Sequence, residues 1–416
     1  MLRLGWRPCP PPKNRRRYVL AGQMRRLRPS LLKLNCPPSG LRSYVHHLVC
    51  STMRRCMSTT AATSGKSNHV VHAEDVVAAE HRIRNAVHRT PVMSCRTLDK
   101  LFSGEEGGNN SSNGSSSNAP KLYFKCENFQ KTGSFKFRGA LNAVTRLMEK
   151  EEEEGMKEGG KSHSRVHVVT QSSGNHGQAL AACAAVRGVD ATIVMPSTSP
   201  TVKKNAVKGY GATVVECEPT EQARDIAASN VVEETKGVLI HPNQDPEVIA
   251  GQGTIAKELL EELPHLDAIV APVGGGGMIG GIAVWAKHVN PSILVVAAEP
   301  TAADDCFRSK KAGEKLMNEA PPVTIADGVK VSIGHNTWPI IRDLVDDVIC
   351  VTEEEIMDAT RLVWERMKLV IEPSSGVGVA AVLNENGKRV LAGRKNIAVV
   401  LCGGNVDLEA MSWSRK

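Results

Sequence analysis

Short apolar runs recur along the chain, spaced by stretches long enough to hold a helix. VHVVT (166–170), ATIVM (191–195), ATVVEC (212–217), GVLIH (237–241), DAIVAPV (267–273), ILVVAAEP (293–300) and NIAVVLC (396–402) are short, rich in β-branched residues and bounded by Gly, Pro or polar turns. They read as buried strands. Between them, GNHGQALAACAAVRG (174–188) and QGTIAKELLEEL (252–263) carry helical patterns. Strands that alternate with helices imply parallel sheets covered on both faces, so the fold class is α/β. No internal repeat is visible. Two stretches are too polar to enter a core: SGEEGGNNSSNGSSSNA (103–119) and the charge run EKEEEEGMKEGGKSHS (149–164). Both read as surface insertions, exposed loops without function.

The 416 residues suffice for two or three domain-sized units. The formal charge of +8 is unevenly spread. Residues 1–73 hold 14 of the 52 Lys and Arg and none of the 44 Asp and Glu; the remainder, 38 basic against 44 acidic residues, carries about −6. The body is therefore mildly acidic and gives no reason to expect nucleic acid. The Arg-rich, acid-free leader has the composition of a transit peptide, so mitochondrion or plastid is the expected destination, and the cytoplasm if the leader is only a disordered basic tail. Eleven Cys, four of them in the leader and none in a C-x-x-C pair, argue against zinc and against a disulfide framework. The uncharged stretch 268–286 holds seven Gly and Pro residues in a strand–loop–helix order, so no membrane span is expected there.

Ligands of open α/β sheets sit where strands end and helices begin. Four segments with unusual chemistry fall at such places. In KTGSFKFRGA (131–140), Lys136 lies between Phe135 and Phe137 at the start of a helical pattern. Apolar surroundings and a helix N-terminus both depress an amine pKa, as Schiff-base chemistry requires, although a lone lysine is more often a surface charge. TQSSGNHGQAL (170–180) can present backbone N–H groups to a carboxylate; Ser/Asn capping is the compatible plain reading. The four glycines of VGGGGMIGG (273–281) suit a phosphate, with a nicotinamide-binding loop as the rival. VLCGGNVD (400–407) again runs from a strand into a glycine loop.

Together these segments resemble the fold-type II pyridoxal-phosphate enzymes (tryptophan synthase β-like), and within them the serine racemases and serine/threonine ammonia-lyases. The residues that carry the resemblance are FKCENFQKTGSFKFRGALNAV, SSGNHGQAL, HPNQDPEVIAGQGTIA, PVGGGGMIGGIA, AAEPTAADDC, TIADGVKVSIG, NTWPIIRDLVDD, VWERMKLVIEP and GGNVDL, spread over residues 74–408. The resemblance implies two open parallel-sheet domains with the cofactor between them. A large domain would comprise 74–166 and 245–416, and a small one 167–244, in a homodimer. Lys136 would carry the cofactor, and Asn175, Asn243 and Cys402 would contact it. Gly274, Gly275, Gly276, Gly277 and Met278 would hold its phosphate. Ser172, Ser173, Asn175 and Arg224 would meet the substrate. Glu299, Asp305 and the Ala303 carbonyl would bind Mg²⁺, Ca²⁺ or Mn²⁺. ATP as an allosteric effector is a further expectation. The sequence runs eight residues past Leu408, so feedback through a C-terminal regulatory domain is not expected.

The implied chemistry is removal of the α-proton of serine or threonine by Lys136. Loss of the β-hydroxyl then leads to a 2-oxo acid and ammonia, whereas reprotonation from the opposite face, with Ser173 as the acid, gives the enantiomer. A threonine dehydratase without racemase activity, a β-replacement synthase and a non-catalytic amino-acid or nucleotide sensor are the alternatives.

Overall fold

The computed structural model describes residues 68–104, 119–157 and 166–411; most of the leader and the greater part of the 103–119 insertion lie outside them. The strands are β1 (Val92–Ser94), β2 (Lys121–Cys126), β3 (His167–Gln171), β4 (Asp190–Pro196), β5 (Thr213–Cys217), β6 (Val238–Leu239), β7 (Ala268–Pro272), β8 (Leu294–Pro300), β9 (Asp347–Val351) and β10 (Asn396–Leu401). The helices in the first half are α1 (Ala73–Ile83), α2 (Arg96–Ser103), α3 (Lys136–Lys157), α4 (Asn175–Arg187), α5 (Thr201–Gly209) and α6 (Glu221–Thr235). They are followed by α7 (Pro246–Glu262), α8 (Gly277–Val289), α9 (Asp305–Ala312), α10 (Trp338–Leu344), α11 (Glu353–Met367), α12 (Pro373–Leu383) and α13 (Glu385–Val390).

Two sheets form within one compact unit, Ser67–Lys416. The larger has the order β1-β2-β10-β7-β8-β9, parallel except for the β1–β2 pair; the smaller, β5-β4-β3-β6, is parallel throughout. The alternation of β10 explains why its sequence is apolar without interruption. Ile397, Val399 and Leu401 join a cluster with α11 and α12, while Ala398 and Val400 join one with α7 and α8. Both faces are covered, so neither tolerates a polar residue.

The structure corrects several expectations. ATVVEC and GVLIH are not buried strands: β5 and β6 are the edges of the smaller sheet, and Val238 and Leu239 are each 41% exposed. The helix expected at 252–263 begins earlier, at Pro246, because Asp245 accepts from the Glu247 and Val248 N–H groups and Pro occupies the first turn. The charge run does not start a loop at 149. Helix α3 continues through Lys157, held by its Glu and Lys content and by Arg146 pairing with Glu149 and Glu153; residues 158–165 lie outside the described residues. Strands β1, β2 and β9 are not among those the apolar runs predict.

Glycine contacts set α3, α7 and α8 close together. A Cβ on Gly251 of α7 would stand 2.6 Å from the Gly139 Cα of α3, and one on Gly281 of α8 would stand 2.3 Å from the Ile249 carbonyl oxygen of α7. Beside this crossing lies a buried ionic knot. Arg138 is fully buried and donates to both carboxylate oxygens of Glu127 (2.8 Å each) and to both of Glu258 (2.7 and 2.9 Å). Lys125, also fully buried, donates to Glu258 (2.6 Å) and the Thr90 carbonyl (2.7 Å). Two cations face two anions, so the knot is neutral and its polar atoms are paired. It ties β2 and α7 to the first turn of α3.

Removing one partner of such a set strands a buried charge. Arg138→Leu is expected to lower the unfolding free energy by about 3–5 kcal/mol, read by urea denaturation. A loss under about 1 kcal/mol would show that the knot contributes little net stability.

Candidate active site

Four strand ends and helix starts converge on one cavity of ≈ 1360 Å³. Lys136 is the first residue of α3, and its side chain enters the cavity. Its amine donates to Asn243 Oδ1 (2.7 Å) and the Pro242 carbonyl (3.0 Å) and sits 5.1 Å from the Phe135 ring centroid. Burial lowers its pKa to about 8, offset in part by the Glu372 carboxylate. A neutral amine is therefore accessible near physiological pH, the state a nucleophile or base must reach.

The loop after β3 places Ser172, Ser173 and Gly174 on the cavity wall, and α4 starts at Asn175. The helix is not capped by a side chain, since Gly174 occupies the cap position and Ser172 Oγ accepts from the Gly174 N–H instead (3.3 Å). The first N–H groups of α4 are thus open to an anion. Arg224, in the first turn of α6, lines the same cavity half-buried and donates to the Thr220 carbonyl. His176 faces inward, fully screened, and burial together with the neighbouring Lys136 lowers its pKa to about 3, so it stays neutral.

The loop after β7 runs through Gly274 to Gly277, where α8 begins, with Met278 next. A Cβ would find no room in this loop. On Gly274 it would lie 2.9 Å from Val329 Cα, on Gly275 2.4 Å from Asn243 Nδ2, and on Gly276 2.7 Å from Thr337 Oγ1. Gly276 also has φ +86°, which an L side chain rarely adopts. Thr337 Oγ1 donates to the Gly275 carbonyl (2.9 Å), so α10 braces the loop. A glycine cradle at a helix N-terminus, with a half-buried amine and an amide-lined wall in the same cavity, fits a phosphorylated aldehyde cofactor such as pyridoxal phosphate.

At the end of β10, Cys402 is buried, with its sulfur 3.3 Å from Ser375 Oγ; burial pushes its thiol well up, so it is neutral. Two residues that sequence reasoning left without a role stand beside it. Glu372, 3% exposed, accepts from Asn175 Nδ2 at 3.0 and 3.1 Å, and Asn405 Nδ2 donates to Asn175 Oδ1 (2.9 Å). Glu372 precedes Pro373 at the start of α12; its side chain makes no cap bond and turns to Asn175.

Glu299, Ala303 and Asp305 lie outside the cavity wall. Glu299, next to last in β8 and 1% exposed, accepts from the Cys306 and Phe307 N–H groups; Asp305, 3% exposed, accepts from Ile333 N (2.8 Å) and Asn318 Nδ2 (3.0 Å). Burial, with Asp305 adding repulsion, raises the Glu299 pKa to about 9. Among the described residues no cluster of three or more His, Cys, Asp or Glu side chains suits a metal ion.

A family profile described as "Pyridoxal-phosphate dependent enzyme" matches residues 109–403. The chain is 52% identical to a serine racemase of Rattus norvegicus over 350 residues, covering 84% of this chain and 98% of that protein. Among solved structures it resembles maize serine racemase (39% identity, TM-score 0.74, covering 83% of this chain and 97% of that one). It also resembles a threonine deaminase of T.th. (40% identity, TM-score 0.70, covering 81% of this chain and 99% of that one).

Gly276→Ala is expected to weaken pyridoxal-phosphate binding at least about tenfold, titrated by intrinsic fluorescence, because it fills the cradle and strains the loop. Gly393→Ala is the control, since that residue has φ +80° but open space around it. Equal affinity for both variants would remove the cradle from the phosphate site.

Proposed function

The chain belongs to the pyridoxal-phosphate dependent enzymes, and from that membership we propose that it is a serine racemase that also eliminates ammonia from L-serine and L-threonine. The observation that carries this reading is the Lys136 amine, half-buried and held by Asn243 and Pro242 in the cavity that the four glycines also line. Residues Gly274–Gly277 would hold the cofactor phosphate, Asn175 and Asn243 its ring, and Cys402 would face the ring nitrogen. Pyridoxal phosphate, when bound, supplies a sink for the electron pair left when the substrate Cα loses its proton.

The chain's own groups do the rest. The open N–H groups at the start of α4, with Ser172 and Asn175, receive the substrate carboxylate, and Arg224 extends that wall. Lys136 takes the proton from Cα on one face. Ser173 returns a proton on the other, giving the D enantiomer. Where the β-hydroxyl leaves first, hydrolysis yields 2-oxo acid and ammonia. A neutral thiol at Cys402 is a weak donor and acceptor, so it leaves the ring nitrogen largely unprotonated, which favours elimination. The likeness to a threonine deaminase supports the elimination branch. Homodimer assembly and an ATP effector belong to the same proposal, as does import into a mitochondrion or plastid by the acid-free leader.

Incubation with L-serine, with D-serine and pyruvate both measured, tests the reading. Lys136→Ala is expected to abolish both products and the visible absorbance band that borohydride quenches. Ser173→Ala is expected to lose D-serine formation while keeping most pyruvate formation. D-serine made at the native rate by Ser173→Ala would contradict its role.

The proposal includes a divalent cation at Glu299, Asp305 and the Ala303 carbonyl. Two buried carboxylates that repel each other need a proton or a cation between them, and hard oxygen ligands suit Mg²⁺, Ca²⁺ or Mn²⁺. Chelation by EDTA is expected to lower the melting temperature and the activity, with Mg²⁺ restoring both. No change in either would leave the pair to a shared proton.

A further inference from the structure

The Asn175 amide is held from two sides by side chains of the opposite wall. Its nitrogen stands 3.0 and 3.1 Å from the two oxygens of Glu372, and its oxygen accepts from Asn405 Nδ2 at 2.9 Å. Asn405 is itself fixed, since its Nδ2 also donates to the Thr132 carbonyl (2.7 Å) and its N–H donates to Glu372 Oε2 (3.2 Å). One amide can satisfy this arrangement in a single orientation, nitrogen to the carboxylate and oxygen to Asn405. A flipped Asn175 would set oxygen against carboxylate and NH₂ against NH₂.

We infer that Glu372 is a positioning residue for the reaction, acting through Asn175 by fixing which end of that amide is presented to the cofactor. The inference rests on the reading of the cavity as a pyridoxal-phosphate site. Asn175 links the smaller sheet, at the start of α4, to the larger one, because Glu372 precedes α12 and Asn405 follows β10. The orientation is therefore set at the junction of the two walls rather than within either. Gly403 closes one side of the carboxylate, as a Cβ there would lie 2.8 Å from Glu372 Oε1.

The charge environment keeps this carboxylate adjustable. Burial raises its pKa to about 7, Asp327 adds to the rise, and the hydrogen bonds from Asn175 and Asn405 and the charge of Lys203 oppose it. Lys136 and the Cys402 thiol are the other titratable groups facing it. Ionised, it accepts from Asn175 with both oxygens; protonated, it gives up one of them.

Glu372→Gln keeps the shape but places an NH₂ against the Asn175 nitrogen in either rotamer. The decisive experiment is a double-mutant cycle on pyridoxal-phosphate affinity, read by fluorescence titration, with Glu372→Gln, Asn175→Ala and the pair. The expected result is at least about a tenfold loss for Glu372→Gln, and a double variant within about twofold of Asn175→Ala alone. Glu372→Gln binding like the native protein, or a loss that adds fully to that of Asn175→Ala, overturns the inference. If Glu372→Gln does not fold, the contact is read on cofactor-free native protein by ¹³C-glutamate NMR. A carboxyl titrating near pH 7 should move upward in Asn175→Ala, which removes the hydrogen bonds that lower it, and an unmoved midpoint overturns the inference. Native protein that takes up no pyridoxal phosphate would instead sink the functional reading, and the NMR titration would still decide the Glu372 contact.

Discussion

The Lys136 amine is half-buried at the first turn of α3, with Asn243 Oδ1 and the Pro242 carbonyl as its acceptors. A charged ammonium is poorly solvated there, and its pKa falls to about 8. Every other part of the site is arranged around that position. The glycine contacts that set α3 against α7, and α7 against α8, tie the lysine-bearing helix through α7 to the helix that follows the four glycines. The ionic knot of Arg138, Glu127, Glu258 and Lys125 pins the same turn of α3 from behind, two residues past the lysine.

Burying so many polar groups is costly unless each is paired. Around the lysine the pairing is made by different means on each wall, while His176 Nδ1 and Gln171 Oε1 have no hydrogen-bond partner. Asn243 serves Lys136 with its side chain, while its loop is shaped by His241, whose Nδ1 accepts from the Asn243 and Gln244 N–H groups. Asn336 donates twice to Gln244, from its N–H to Oε1 and from Nδ2 to the carbonyl, which holds the 331–336 segment at the cavity wall. Asp305, through the Ile333 N–H, ties that segment to the carboxylate pair beneath it. One hydrogen bond thus joins Asp305 to the cavity wall.

Much of this was legible in the sequence for physical reasons. Strands apolar on both faces, such as β7, β8 and β10, announce a parallel sheet, and glycines and small polar residues after them announce a ligand. Lys136, Ser172, Ser173, Asn175, Arg224, Asn243, the four glycines, Met278 and Cys402 all line one cavity. What was not legible depends on tertiary context. KLYFKC hides β2 because its lysines look like surface residues, yet Lys125 is paired inside the knot. The edge strands β5 and β6 look as apolar as central ones because composition does not tell where a sheet stops. The sequence assigns Glu372 no role, and only the fold shows it turned toward an asparagine 197 positions away.

On the proposed reading, one cavity removes the α-proton of serine on one face and returns a proton on the other. Incubation of the native, pyridoxal-phosphate-loaded protein with L-serine in D₂O, followed by NMR of the resolved enantiomers, tests this most directly. The predicted result is D-serine carrying deuterium at Cα from the earliest times, while recovered L-serine gains the label more slowly, since the two faces are served by different groups. Pyruvate as the sole product, or D-serine that keeps protium at Cα, would contradict it.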